Sequence, residues 1–250
     1  KKWVGGAWVN QGTANFGPTG TVDVRITSID GAPYVALKYL SGGNYYIRAY
    51  RLSSGAWVTM GSMQYETVLT YDFSLKTSVN DGLYLNYYNQ TALAGSDNEL
   101  IVLQISNVGQ GQVEGIINTD YTENNDFVVD ENDLPWVAYE VGDMSNYVNL
   151  SSGNYPDYDY QDQLLSDWSG KIVTNLVGAE DLRFACDVDG NSLAGRRYDI
   201  GGLSMGPLYT VYNGTVDDYD MASETTFDYF FYKVGAAHHV ESINSTGVQA

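Results

Sequence analysis

An aspartate followed by a large apolar residue recurs at nearly regular intervals along the chain, and each copy opens a run of alternating apolar residues. The five copies begin at Asp23, Asp72, Asp126, Asp181 and Asp228. Successive copies lie 49, 54, 55 and 47 residues apart, and 45 residues lead from the last copy back to the first when the count continues through the chain ends. Because the fifth interval matches the others, the spacing predicts repeats that close into a ring.

Turn-forming residues occupy a similar place within most of the repeats. Asp30-Gly31 and Asp81-Gly82 each separate two apolar runs, which is the chemistry of a tight β-hairpin. Repeats of about 40 to 50 residues with roughly four strands each are typical of propeller blades. We therefore predict an all-β fold, a five-bladed β-propeller that forms a single domain over the 250 residues.

A tryptophan motif indicates how the ring closes. Gly6-Ala7-Trp8-Val9 and Gly55-Ala56-Trp57-Val58 share the same four residues, and the second copy follows one strand and precedes the next repeat. This position predicts the outer strand of a blade, so we expect the N-terminal strands to close the last blade and remove its free edge. The predicted blades span approximately residues 20–61, 70–115, 124–170, 179–222, and 226–246 together with 1–12.

A resemblance supports this fold. The phrase D-G-x-P-Y-V-A, here residues 30–36, followed by a strand and G-x-W-V-x-x-G, here residues 55–61, resembles the repeats of certain secreted β-propeller proteins. The resemblance covers the first two repeats well, the third in part and the last two weakly. Such repeats occur in proteins of many functions, so the resemblance implies a fold and carries no catalytic residue with it.

The charge of the chain excludes some partners. The net charge is −19 with only 12 basic residues, which disfavours nucleic acids and anionic membranes because both need a cationic face. No apolar run is long enough to span a bilayer. The chain begins without an initiator methionine, which predicts a processed form, and its composition favours an extracellular or cell-surface location. Four sequons are candidate N-glycosylation sites, at Asn89, Asn149, Asn213 and Asn244.

The five repeat aspartates have two interpretations. If each begins the innermost strand of a blade, five carboxylates surround the central channel, where they could bind a cation or orient a sugar. An aspartate before an apolar strand also accepts hydrogen bonds from the N–H groups of the adjoining loop. Repetition in every blade favours this structural role, because a catalytic residue should break the symmetry.

Three acidic stretches do break the symmetry. The segment 187–191 aligns with the hairpin turns of other repeats, so a turn is favoured there over a calcium loop. The other two stretches are candidate ligand-binding or ion-binding loops, although neither meets the EF-hand pattern and the metal is unknown. Their candidate residues are Asp157, Asp159 and Asp162 in the third repeat, and Asp217, Asp218 and Asp220 in the final connection of the fourth.

No catalytic residue stands out. His238 and His239 are adjacent, so on a strand they point to opposite faces, and Cys186 is predicted to be a buried strand residue. A glycosidase would need two carboxylates about 5 to 9.5 Å apart. Asp23, Asp72 and Asp126, with Glu140 and Glu180, could supply them, but each is also explained as a repeat element or strand residue.

We therefore predict an extracellular binding or assembly module without catalysis. Abundant tyrosine with polar loops suits a carbohydrate-binding or protein-binding surface. The richness in Gly, Tyr and Asn also fits a structural subunit of a surface filament or matrix, in which the protein partner is another copy. The alternative is a glycoside hydrolase with paired carboxylates. No cofactor is required by this prediction, and Ca²⁺ is considered only as a structural ion.

Overall fold

The computed structural model describes residues 2–60, 65–67, 73–78, 80, 82–89, 99–105, 111–118, 124–141, 147–154, 157–165, 168–178, 181–188 and 191–244. All regular elements in these ranges are β-strands, which confirms the all-β prediction. The described residues contain no helix that could cross a membrane.

The strands form one separate hairpin and five larger antiparallel sheets. The hairpin consists of β1 (Lys2–Val4) and β2 (Ala7–Val9). Sheet one contains β3 (Thr21–Ile29), β4 (Ala32–Ser41), β5 (Asn44–Ser53), β6 (Ala56–Thr59) and β7 (Tyr65–Thr67). Sheet two contains β8 (Phe73–Thr77), β9 (Leu83–Asn89), β10 (Glu99–Ile105) and β11 (Gly111–Asn118).

The remaining sheets follow in chain order. Sheet three contains β12 (Asn125–Val129), β13 (Pro135–Val141), β14 (Tyr147–Asn154) and β15 (Asp157–Leu165). Sheet four contains β16 (Trp168–Val177), β17 (Asp181–Val188), β18 (Ser192–Asp199), β19 (Ser204–Met205) and β20 (Tyr209–Asn213). Sheet five contains β21 (Asp218–Ser223), β22 (Phe227–Val234) and β23 (Ala237–Asn244).

Consecutive strands pair with each other, so each sheet is a meander. In sheets one and four the outer position is shared by two short strands, because β6 and β7 both pair with β5, and β19 and β20 both pair with β18. Tight turns connect the pairs. At Asp30-Gly31 both residues have positive φ, as a type I′ hairpin requires.

The first strands of the sheets lie next to one another around a centre. β3 packs against β8, β8 against β12, β12 against β16, and β16 against β21. Side chains alternate along each strand, so one set of apolar residues faces the preceding sheet and the other faces the following sheet. Phe73 lies in the core between sheets one and two, Phe127 between two and three, Phe184 between three and four, and Phe230 between four and five.

Sheets one and five each keep one face that no neighbouring sheet covers fully. Val22, Val24 and Ile26 of β3 are exposed, and so are Phe231 and Val240 of sheet five. Among the described strands, β3 makes no extensive contact with sheet five. Within the described residues, sheets one and five therefore do not pack against each other as successive sheets do.

The segment from Gln11 to Gly17 crosses the uncovered face of sheet one. The Gln11 carbonyl accepts a hydrogen bond of 3.2 Å from Trp57 Nε1. The Phe16 ring stacks on the Trp57 ring with centroids 4.5 Å apart and also packs edge-on against Tyr50. These contacts bury the outer part of this face and attach the N-terminal segment to sheet one.

The predicted closure differs from the observed strand pairing. Within the described part of the chain, β1 and β2 pair with each other, and sheet five has three strands with β23 outermost. Sheets four and five also begin earlier than the predicted boundaries at residues 179 and 226, because β16 and β21 precede them. Consequently Asp181 and Asp228 lie on the second strands of their sheets, whereas Asp23 and Asp126 lie on first strands.

The packing at Gly12 gives a test of the attachment of the Gln11–Gly17 segment to sheet one. Gly12 has a φ of +70°, and an added Cβ would lie 2.7 Å from Leu52 and Trp57. Gly31 has a similar φ of +73°, but an added Cβ there meets no atom within 4 Å. We expect Gly31→Ala to cost about 1 kcal/mol for the left-handed backbone alone. Gly12→Ala should cost about 1 to 3 kcal/mol more, because the methyl group displaces the Trp57 ring.

Urea unfolding of both variants measures this difference. Equal losses of stability in the two glycine variants would show that the Gln11–Gly17 segment does not pack on Trp57.

Candidate functional site

A cavity of about 430 Å³ lies where the first strands of all five sheets meet. Its wall is polar at several points although the strands that form it are largely apolar. The polar and charged residues that line it are Arg25, Thr27, Ser74, Lys76, Asn125, Asp126, Lys171 and Asp220.

Asp126 is the most firmly held group in this wall. Its Oδ2 atom accepts hydrogen bonds from Lys76 Nζ at 3.0 Å, from the Thr174 N–H at 2.8 Å and from Thr174 Oγ1 at 2.9 Å. Lys76 Nζ also donates to the Thr174 carbonyl. Since Lys76 lies on β8, Asp126 on β12 and Thr174 on β16, these bonds connect sheets two, three and four.

Other polar atoms of the same strand are buried without partners. Asp126 Oδ1 has no hydrogen bond, and neither Nδ2 nor Oδ1 of Asn125 has one. Asn125 is only 2% exposed and Asp126 only 5%. Leaving a buried polar group unsatisfied costs about 1 to 3 kcal/mol. Such groups in a native fold require an explanation, and a bound ligand or water in the cavity would satisfy both donor and acceptor.

The cations of the cavity are paired with carboxylates. Arg25 Nη1 donates to Asp23 Oδ1 at 2.6 Å, and the guanidinium also lies over the Phe73 ring. Lys171 Nζ donates to Asp218 Oδ1 at 3.2 Å. Because groups of both signs line the cavity, its wall suits a neutral polar ligand better than a multiply charged anion.

The last two repeat aspartates form a separate network between sheets four and five. Arg183 donates from Nη1 to Asp228 Oδ1 and from Nη2 to Asp181 Oδ2, both at 2.6 Å. Asp228 Oδ2 accepts hydrogen bonds from Arg197 Nη2 and from the Tyr209 hydroxyl, each at 3.0 Å. Arg183 is 1% exposed and Asp228 is fully buried.

Burial and pairing shift the pKa values of Arg183 and Tyr209 in this network. Burial opposes the charge of Arg183, but its hydrogen bonds to Asp181 and Asp228 outweigh that effect and raise its pKa. Burial and the nearby Asp228 carboxylate raise the pKa of Tyr209, so its hydroxyl remains a donor. Gly195 leaves room for this ring, since a Cβ there would lie 2.5 Å from it. Both carboxylate oxygens of Asp228 are occupied, so the network holds two sheets together and offers no open site.

The structure therefore does not gather the five repeat aspartates into one ring. Asp126 lies at the cavity, Asp23 pairs with Arg25, and Asp181 and Asp228 lie in the network between sheets. Asp72 lies outside the described residues. The described aspartates meet cationic side chains more often than the loop N–H groups that the sequence suggested.

The acidic stretch of the third repeat is a strand, so the predicted loop there is wrong. Its alternating Asp and Tyr residues have the period of a strand, and tyrosine favours extended pleated structure. Asp157 pairs with Asn154, Asp159 with Ser152 and Asp162 with Leu150, with a register shift between the last two pairs.

The second acidic candidate is also a strand rather than a connection. Asp218 and Asp220 lie on β21, the first strand of sheet five, and Asp217 directly precedes it. Asp220 borders the central cavity. Among the residues whose side chains the structure describes, no group of three His, Cys, Asp or Glu side chains could hold a metal ion. Calcium binding stays a prediction.

The four candidate glycosylation sites, His239 and Cys186 all lie on strands. Asn89, Asn213 and Asn244 are the last residues of β9, β20 and β23, while Asn149 is the third residue of β14. His239 stacks on the Tyr232 ring. Cys186 is buried on β17, as predicted. Glycosylation of the four asparagines stays a prediction.

Sequence reasoning missed the basic residues and the buried asparagine that shape the site. Only 12 basic residues occur in the chain, so a lysine or arginine inside an apolar strand was a usable signal. Lys76 in FSLKT and Arg183 in DLRFAC both fit that description. Asn125 had no such signal, because it precedes the repeat aspartate in a run of polar residues.

Known proteins share the fold of this chain and little of its sequence. No known family matches the sequence, and no curated protein is similar to it. The SapL1 lectin in complex with α-methyl fucoside has a TM-score of 0.64 at 12% identity, over 91% of this chain and 77% of the lectin. The Aleuria aurantia lectin has a TM-score of 0.61 at 13% identity, over 93% and 79%.

An enzyme has the same architecture. The α-L-arabinofuranosidase from Fusarium graminearum has a TM-score of 0.58 at 12% identity, over 85% of this chain and 71% of the enzyme. All three are β-propeller proteins. The chain has the β-propeller fold. At these identities the likeness shows the fold alone, and the propeller carries both lectins and hydrolases.

The network between sheets four and five can be tested against a matched surface pair. Asp228→Ala leaves Arg183 buried and without one of its partners, so we expect a loss of about 3 to 5 kcal/mol in the free energy of unfolding. Asp23→Ala breaks an ion pair of the same 2.6 Å length whose two side chains are each 32% exposed, so we expect about 0 to 1 kcal/mol.

Urea unfolding measures the loss in the free energy of unfolding for each variant, provided that its m-value equals that of the wild type. A loss for Asp228→Ala as small as that for Asp23→Ala would exclude a structural role for the buried network.

Proposed function

We propose that this protein is an extracellular β-propeller that binds carbohydrate in its central cavity and catalyses no reaction. The observation that carries the proposal is the set of buried polar atoms at the start of β12 that have no protein partner. These are both side-chain polar atoms of Asn125 and the Oδ1 atom of Asp126.

A sugar matches what these atoms lack. Each sugar hydroxyl can donate one hydrogen bond and accept others, so sugar hydroxyls can match the amide N–H and oxygen of Asn125 and the free carboxylate oxygen of Asp126. A volume of about 430 Å³ is in the range of small-molecule sites. The wall carries charges of both signs, and this mixture also suits a neutral polyol. The charged residues are Arg25, Lys76, Lys171, Asp126 and Asp220.

The comparisons support the same class of ligand. Two lectins with TM-scores above 0.6 were solved with fucosides, and an arabinofuranosidase shares the architecture. The abundance of tyrosine, 22 residues, is consistent with a carbohydrate-binding or protein-binding surface. Secretion, N-glycosylation at the four sequons and a cell-surface location belong to this proposal.

We also propose that the five sheets are five blades. Each of the first four sheets has a filled outer strand position, and the described part of sheet five has three strands with β23 outermost. The proposal rests on the meander of consecutive strands that all five sheets share.

Glycoside hydrolysis is the second candidate, because two carboxylates, Asp126 and Asp220, line the cavity. A hydrolase needs one carboxyl group that carries a proton to the leaving oxygen. Three donors, one of them the Lys76 ammonium, already bind Asp126 Oδ2. Asp126 is therefore better suited to accept hydrogen bonds than to act as the acid.

Asn125→Leu tests the binding site. Leucine has a similar volume and no polar atoms, so the variant should be more stable than the wild type by about 1 kcal/mol without ligand. The same variant should lose sugar binding, because the amide that contacts the ligand is gone. Thermal unfolding measures the first effect, and calorimetric titration with a panel of methyl glycosides, methyl α-fucoside among them, measures the second.

Asn86→Leu is the matched control. Asn86 is as buried as Asn125 and its Oδ1 atom also has no partner, but the residue does not line the cavity and its Nδ2 donates to the Ile101 carbonyl. We expect unchanged sugar binding and no gain of stability. Unchanged binding in Asn125→Leu would refute the proposed site. Hydrolysis of 4-nitrophenyl glycosides by the wild type, lost in both Asp126→Asn and Asp220→Asn, would establish the hydrolase instead.

A further inference from the structure

A second cavity, of about 340 Å³, lies beside the central one on the exposed face of sheet five. Lys171 and Asp220 line both this cavity and the central cavity. The two spaces are therefore adjacent, and these two side chains stand at the boundary between them. We call the second space the sheet-five cleft, and its floor is formed by Asp218, Asp220, Phe231, Lys233, His238 and Val240.

Strand register arranges the floor of the sheet-five cleft in two rows. In the first row Asp220 of β21 pairs with Phe231 of β22, which pairs with Val240 of β23. The second row lies two residues away along each strand and consists of Asp218, Lys233 and His238. Directly paired residues share one face of a sheet, and so do residues two apart on a strand. All six side chains therefore point away from the core between sheets four and five, which contains Phe230.

The first row gives the floor an apolar centre. The Phe231 side chain is 46% exposed and that of its neighbour Val240 is 63% exposed. Exposed apolar side chains with polar residues around them mark ligand-binding grooves. A pyranose ring has C–H groups on its faces and hydroxyls around its edge. Its face can therefore pack on the Phe231 ring while its hydroxyls reach the polar residues beside that ring.

The charges of the sheet-five cleft resemble those of the central cavity. Two carboxylates, Asp218 and Asp220, and two ammonium groups, Lys171 and Lys233, line it. Lys171 Nζ donates to Asp218 Oδ1 at 3.2 Å and to the Tyr219 carbonyl at 2.7 Å. Because both signs are present in equal number, the cleft offers donors and acceptors to a neutral ligand and has no excess charge to attract an ion.

The boundary between the two spaces is polar. Asp220 Oδ1 accepts a hydrogen bond of 2.8 Å from the Met221 N–H, which orients a carboxylate that is itself exposed. Lys171 is held against β21 by its bonds to Asp218 and Tyr219. A ligand that fills the central cavity and extends into the sheet-five cleft passes these two side chains, and both can bind its hydroxyls or its glycosidic oxygen.

We propose that the protein binds an oligosaccharide across both spaces, with the terminal sugar beside Asn125 in the central cavity and the next sugar on Phe231. This inference rests on the proposed function, because it takes the central cavity as a sugar site. It adds a second binding surface and a minimum length for the ligand. The second sugar adds contacts at little further entropic cost, because the first sugar already holds it near the cleft.

Calorimetric titration with matched pairs of probes tests the proposal. Each pair is a methyl glycoside and an oligosaccharide with the same sugar at its non-reducing end. The pairs are methyl β-glucoside with cellobiose, methyl β-galactoside with lactose, methyl β-xyloside with xylobiose, and methyl α-fucoside with fucosyllactose. In the pair that binds, we expect the oligosaccharide to bind about three- to tenfold more tightly than the methyl glycoside, because its second sugar packs on Phe231.

Variants of Phe231 assign this gain in affinity to the cleft. Phe231→Ala should abolish the gain and leave the affinity for the methyl glycoside as in the wild type. Phe231→Tyr keeps the aromatic ring and should keep the gain. Leu208→Ala is the matched control, since Leu208 is 47% exposed and lines neither cavity, so binding of both probes should not change.

The titrations separate failure of the cleft from failure of the central site. Equal affinity for both members of the pair overturns the cleft and leaves the central site intact, and so does a gain that survives in Phe231→Ala. Asn125→Leu should lose both members of the pair. If none of the probes binds the wild type, the central site is refuted and the proposal fails with it.

Urea unfolding shows whether Phe231 contacts a ligand or packs against another sheet. In Phe231→Ala the midpoint should fall no further than in Leu208→Ala, because each variant truncates an exposed side chain. A much lower midpoint, together with weaker binding of the methyl glycoside, would assign Phe231 to packing between sheets and would overturn the proposal.

Discussion

The apolar character of both sheet faces is the constraint on which this structure depends. Because side chains alternate along a strand, each interior sheet presents apolar residues to a neighbour on both sides. Phe73, Phe127, Phe184 and Phe230 fill four successive spaces between sheets. A stack of such sheets with twisted strands curves around a centre, and the end faces remain apolar wherever the ring does not close.

Charged contacts fix the order of the sheets within this packing. Asp126 connects three sheets through Lys76 and Thr174, and Asp228 connects sheets four and five through Arg183 and Arg197. The Asp126 site and the Asp228 site differ in whether all of their polar atoms have a protein partner. Both carboxylate oxygens of Asp228 are occupied, so its role is structural. Asp126 and Asn125 line the cavity and keep buried polar atoms that have no protein partner.

Free polar atoms in a buried wall reduce the stability of the empty protein and favour binding of a ligand that satisfies them. Val24 and Ile26 on sheet one, and Phe231 and Val240 on sheet five, also leave apolar area exposed.

The repeat of Asp-apolar pairs, the Asp-Gly turns and the alternating runs determined the sheets, since these signals are local. They did not determine the boundaries of the last two sheets, because β16 and β21 lack the repeat aspartate. The partners of the aspartates depended on the tertiary structure. Lys76 and Asp126 are 50 residues apart, and Arg183 and Asp228 are 45 apart, so only the packing of separate sheets brings them together. The unpaired amide of Asn125 has the same physical origin, because burial and hydrogen-bond partners are properties of the assembled sheets.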